Sequence, residues 1–120
     1  DRPVCGGRVM VRALEARAPL SLSRVLSCVE SFDDYSRLRL ADDFAHQLNV
    51  GKAECDQAVA FIDTVLDDDT VSNADLKGLL NRAMGPGWGV TSPYGANAKA
   101  ARQHLSAARD AIAAWDGWIS

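Results

Sequence analysis

From Leu22 to Trp115 the apolar residues recur every three or four positions, the spacing that puts them on one face of an α-helix. Leu22, Val25, Leu26, Val29 and Phe32 form the first such stripe, and Ser21 stands before it as an N-cap, predicting a helix to about Phe32. Asp33 and Asp34 open the next segment, where carboxylates suit the positive end of the helix dipole. Its inward face reads Tyr35, Leu38, Ala41, Ala45 and Leu48, predicting one helix over 33–48, and Asn49-Val50-Gly51 is read as a turn. Over 52–66 apolar residues cover most of the girth, from Ala58 to Leu66, as in a helix packed on several sides. After Asp67-Asp68-Asp69, Ser72-x-x-Asp75 reads as a capping box with Asp in the usual Glu position. That helix carries Leu76, Leu79, Leu80 and Ala83, and Gly85-Pro86 supplies a left-handed C-cap followed by a stop. Residues 85–95 form a loop bearing Trp88 and Tyr94, and a last helix is predicted over 97–115.

The first eighteen residues admit two readings. Val9, Val11 and Ala13 alternate as in a strand, whereas Val11, Leu14 and Ala18 fit a helix; the Gly6-Gly7 pair breaks regular structure before either. A helix over 9–17 is the preferred expectation, with 1–18 as an alternative irregular segment, and Pro19 closes the region. The sum is an all-α fold, an irregular bundle of five or six helices in one domain spanning 1–120. The chain opens on Asp1 rather than Met, which leaves a preceding tag, signal peptide or neighbouring domain open.

On the last helix Ala98, Ala101, Leu105, Ala108, Ile112 and Trp115 make a heptad seam whose alanines allow close approach of another helix. That partner is either the rest of the bundle or a second copy, giving a homodimer through the 98–115 helix. Lys99 and Arg102 lie off the seam and are expected to tolerate alanine.

Composition excludes more than it assigns. Nearly half the residues are apolar, so the chain can build a core, and no apolar run approaches the roughly 18 residues needed to cross a bilayer. Cys5, Cys28 and Cys55 are too few and too uneven for a disulfide framework; free thiols in a reducing, cytoplasmic setting are expected. Charge, however, is segregated. Residues 1–29 carry five arginines against Asp1 and Glu15, residues 30–75 carry twelve acids against Arg37, Arg39 and Lys52, and residues 76–120 carry five bases against Asp110 and Asp116. Either the segments neutralise one another in the fold or the acidic stretch meets a basic partner.

Motifs for chemistry are scarce. His46, His104 and the cysteines have no metal-ligand spacing, and counting a calcium loop from Asp67 puts Ser72 and Gly78 where Gly and Glu are required. The paired-carboxylate helices of all-α nucleotide pyrophosphatases find only Glu30-x-x-Asp33 here. The glycines of 85–89 lack the lysine and the strand-to-helix context of a phosphate loop, and no nucleophile elbow occurs. No metal and no cofactor is expected. Trp88 and Tyr94 are candidate stacking residues for a ligand at the 85–95 loop.

Two short stretches resemble known families. Arg39 and His46 on one predicted helix resemble the arginine–histidine motif of HEPN ribonucleases, which are helical, metal-free and dimeric; here Leu40 follows the arginine where a polar residue is usual. The alternative is two surface pairs, Arg39 with Asp43 and His46 with Asp42. Residues 44–58 resemble a helix-turn-helix, with Phe44, Leu48, Val50, Cys55 and Ala58 at its apolar positions and Ala45 at the crossing. Its second helix exposes Lys52, Glu54, Asp56 and Gln57, and acids there disfavour a groove lined by phosphates. The expectation that follows is a non-enzymatic interaction or regulatory module, immunity- or inhibitor-like. It presents Asp42, Asp43, Glu54 and Asp56 to a basic protein. A DNA-binding regulator using 44–58 is the alternative, and a HEPN-like ribonuclease the further one.

Overall fold

The helices follow from the stripes, with one interruption that the stripes do not show. The computed structural model describes residues 6–32, 34–85, 88, 98–115 and 117, and among them every regular element is an α-helix. They are α1 (Gly6–Arg17), α2 (Ser21–Glu30), α3 (Tyr35–Leu40), α4 (Phe44–Leu48), α5 (Lys52–Asp67), α6 (Asn73–Met84) and α7 (Ala98–Ala114). The fold is an all-α bundle.

The preferred N-terminal helix forms, and it begins at Gly6, so the Gly6-Gly7 pair does not break it; α1 lies along α6. Their approach is close: a Cβ on Gly78 would stand 2.7 Å from Cγ2 of Val11. Two other local readings are corrected. Ser21 is the first residue of α2 rather than its cap, and its hydroxyl donates instead to the Glu54 carbonyl at 2.9 Å, tying α2 to α5. Gly85 has positive φ, but at φ 103° and ψ 158° it lies outside the left-handed helical region, in backbone space that only glycine occupies readily. Its carbonyl accepts from the Trp88 amide at 3.2 Å.

The largest departure is the helix expected over 33–48, which is two helices. Asp34 caps α3 by accepting the Ser36 amide, and the backbone becomes extended at Ala41, with φ −77° and ψ 120°. Within a continuous helix the Ala41 carbonyl would face the Ala45 amide. It accepts instead from the Trp115 indole at 2.7 Å. Asp42 and Asp43, poor in helix interiors, occupy the break. Asn49, at φ 56° and ψ 34°, then ends α4 in the left-handed conformation that asparagine tolerates. The capping box at α6 forms as read: Ser72 Oγ accepts the Asp75 amide, and the Asp75 carboxylate accepts the Ser72 amide.

α7 is the organising helix, packed on α3, α5 and α6. Ala101, Leu105, Ala108, Ile112 and Trp115 are buried inside the bundle, so the heptad seam serves the domain's own core. Trp115 also meets Phe44 edge-on, with ring centroids 5.1 Å apart. Arg102 does more than an off-seam surface residue would. Its guanidinium donates to Asn73 Oδ1 at 2.7 Å, to the Val71 carbonyl at 2.9 Å and to the Leu66 carbonyl at 3.4 Å, bolting the α5–α6 connection to α7.

Candidate functional site

The four carboxylates singled out by charge lie about the α4–α5 corner. Asp42 and Asp43 precede α4, and Glu54 and Asp56 occupy the start of α5, which three residues separate from the end of α4. All four are exposed. Asp56 pairs with Lys52 at 2.8 Å, and Asp43 accepts from the Gln47 side-chain amide at 2.7 Å. Asp42, Asp43 and Glu54 form no ion pair with a described residue. The other described pairs, Arg82 with Glu15, His104 with Glu30, and Arg109 with Asp63 and Asp110, lie elsewhere. Among the described residues, therefore, the basic segments do not neutralise the acids of this corner.

The corner has the apolar positions of a helix-turn-helix. Phe44, Leu48, Cys55 and Ala58 are buried, and Val50 is half-buried. Its first helix, though, is only five residues long. Arg39 and His46 fall on different helices, α3 and α4, so the continuous helical face that placed them two turns apart does not exist. The break also removes the expected i,i+4 pairing of Arg39 with Asp43, which turns to Gln47.

Trp88 is 4 % exposed and belongs to the core, not to an open ligand loop; Tyr94 lies outside the described residues. Around Trp88 is a buried polar relay that sequence reading did not assemble. The Trp88 indole donates to Oε2 of Glu30, on α2, at 2.8 Å. His104, on α7, is 1 % exposed, and its ring stacks on Trp88 with centroids 6.2 Å apart. Nε2 of His104 stands 3.2 Å from the same carboxylate oxygen, off the line of a well-formed hydrogen bond. On the other side of the ring, Nδ1 meets the Tyr35 hydroxyl of α3.

A carboxylate only accepts and an indole N–H only donates. With His104 neutral, its proton therefore sits on Nε2, towards Glu30, and Nδ1 accepts from the Tyr35 hydroxyl. These side chains close a polar knot among α2, α3, α7 and the segment after α6. Glu30, Tyr35 and His104 carried no motif because they lie on three helices, and only the fold brings them together.

Cys28 and Cys55 are buried free thiols. Burial, with Asp43 adding, pushes the Cys28 thiol up to about 11; burial, with Asp56 adding, does the same for Cys55. At neutral pH both are protonated and poor nucleophiles. Among the described residues no three His, Cys, Asp or Glu side chains gather to hold a metal ion, and no helix is long and apolar enough to cross a membrane. Comparison of the chain with known protein families, with curated proteins and with solved structures found no match in any of the three.

Proposed function

We propose that this domain is a non-enzymatic protein-interaction module that engages a basic partner through Asp42, Asp43, Glu54 and Asp56, in the manner of an immunity or inhibitor protein. The observation that carries the reading is the unneutralised charge at the α4–α5 corner: Asp42, Asp43 and Glu54 are exposed and have no ion pair with a described residue. Carboxylates held at rigid helix starts accelerate encounter with a cationic surface and select against anionic ones. The same acids count against the helix-turn-helix as a DNA reader, since they would face phosphates. Two free buried thiols suit a reducing, cytoplasmic setting.

The test is a pull-down from the native host with the wild-type chain and with Asp42→Lys/Asp43→Lys/Glu54→Lys, at low and high salt. All three positions are exposed, so the variant keeps the fold. A basic protein should be retained by the wild type, released by salt and lost by the variant. Retention of the same partner by both chains, without salt dependence, refutes the proposal. Cleavage of RNA in EDTA that disappears with His46→Ala would instead favour a ribonuclease.

A further inference from the structure

Opposite α3, helix α7 places Ala107, Ala111 and Ala114 at positions i, i+4 and i+7, on one face over about 10 Å. Their side chains are too short to fill the space between the helices. Two adjoining hollows of about 430 and 400 Å3 result, within the size range of small-ligand sites. They share Ser36, Arg39 and Ala114 in their walls and so form one open cleft. Leu40, 83 % exposed, borders it at the end of α3 and extends the apolar strip that the alanines begin.

The donors are on α3. Ser36 and Arg39 are three residues apart, so their side chains leave the same side of the helix. The Ser36 amide donates to Asp34, while its hydroxyl makes no hydrogen bond to a described residue. Arg39 likewise has neither an ion pair nor a hydrogen bond from its side chain among the described residues. A fixed positive charge and a hydroxyl can thus converge on one anionic head beside an apolar strip. Asp110, the one acid in the lining, touches only the smaller hollow, and its Oδ1 is held by Arg109 at 3.0 Å. It still sets the ligand's charge, since a phosphate dianion would be repelled about twice as strongly as a carboxylate. A cationic amphiphile would leave Arg39 without a counterion, and a small hydrophilic anion would leave the strip bare. From these observations we infer that the α3–α7 cleft binds an aliphatic monocarboxylate, a medium-chain fatty acid. The carboxylate lies on Arg39 and the Ser36 hydroxyl, and the alkyl chain lies along the alanines of α7 and Leu40.

A matched set of probes tests the inference: octanoate; acetate, which lacks the chain; octylamine, which reverses the charge; and octyl phosphate, which adds to it. The readout is the amide chemical shift of Arg39, Leu40 and Ala111 in 15N-labelled protein, titrated to about 10 mM, a concentration that detects affinities in the millimolar range. Octanoate should move these resonances in a saturable way and bind about tenfold or more tightly than acetate or octylamine, and more tightly than octyl phosphate. Arg39→Gln should weaken octanoate about tenfold without weakening octylamine, and Ser36→Ala should weaken octanoate about threefold. Both residues are exposed, so these variants keep the fold, and unchanged amide shifts away from the cleft check that they do. No saturable shift with octanoate overturns the inference. So does binding of acetate, octylamine or octyl phosphate as tight as that of octanoate, or octanoate affinity unchanged in either variant.

Discussion

Removing one hydroxyl, in Tyr35→Phe, should cost far more than a half-buried phenol would suggest. Tyr35 Oη meets Nδ1 of a histidine that is 1 % exposed. Without the hydroxyl, that nitrogen loses this donor in a place water reaches poorly, at a cost of about 1–3 kcal/mol. Glu30→Gln should cost a similar amount. The Trp88 indole donates to Oε2 and His104 Nε2 stands 3.2 Å from the same oxygen, and an amide replaces this charged group with a neutral one. The two changes should not add. In Glu30→Gln the amide NH2 can donate to Nε2, which moves the imidazole proton to Nδ1 and turns the Tyr35 contact round. Residues sharing one partner couple by about 0.5–3 kcal/mol. Urea melts of wild type, both single variants and the double variant give all four corners of the cycle, with equal slopes confirming a common unfolding reaction. Additivity within about 0.5 kcal/mol, or a Tyr35→Phe cost below that figure, would refute the relay as a coupled network.

Three further expectations follow from the packing. Arg102→Ala should destabilise by about 2 kcal/mol in a denaturant melt, because the Leu66 and Val71 carbonyls both lose a cationic donor; a change under about 0.5 kcal/mol would return Arg102 to the surface class. Gly78→Ala should destabilise by about 1 kcal/mol despite alanine's better helix propensity, since the new methyl meets Val11 at 2.7 Å. In a Val11→Ala background the same change should become neutral or stabilising, and if it does not, the α1–α6 approach is wider than described. Cys28 and Cys55 should resist a thiol reagent at pH 8 until the protein is unfolded. Their folded values of about 11 lie above the ordinary 9.0, so their contribution to stability is full below pH 9 and lost as pH rises towards 11. Unchanged stability across that window would argue against the burial.

The sequence made the apolar stripes of α2, α5, α6 and α7 readable because each helix buries one face, and burial writes its period into the chain. The Ser72–Asp75 capping box was equally legible, since all its partners lie within three residues. The break at Ala41 was not: the group that takes its carbonyl, the Trp115 indole, is 74 residues away. The same limit hid Arg102, whose acceptors lie 29 to 36 residues back along the chain. It also hid the relay of Glu30, Tyr35, Trp88 and His104, whose members look like ordinary surface or core residues when each is read alone. Trp88 was noticed for its loop, but a glycine-rich flank does not say whether an aromatic ring turns inward. Exposed carboxylates, by contrast, need no partner to be found, and Asp42, Asp43, Glu54 and Asp56 all lie at the surface.

The central claim is that the α4–α5 corner presents uncompensated negative charge to a basic partner. Its most direct test needs no knowledge of that partner. The domain is immobilised and exposed to polylysine and to heparin at low and at physiological salt, alongside Asp42→Lys/Asp43→Lys/Glu54→Lys. The account predicts that the wild type binds polylysine, loses it as salt rises, ignores heparin, and that the variant loses polylysine. Binding of heparin by the wild type, or polylysine binding that the three substitutions leave intact, would contradict it.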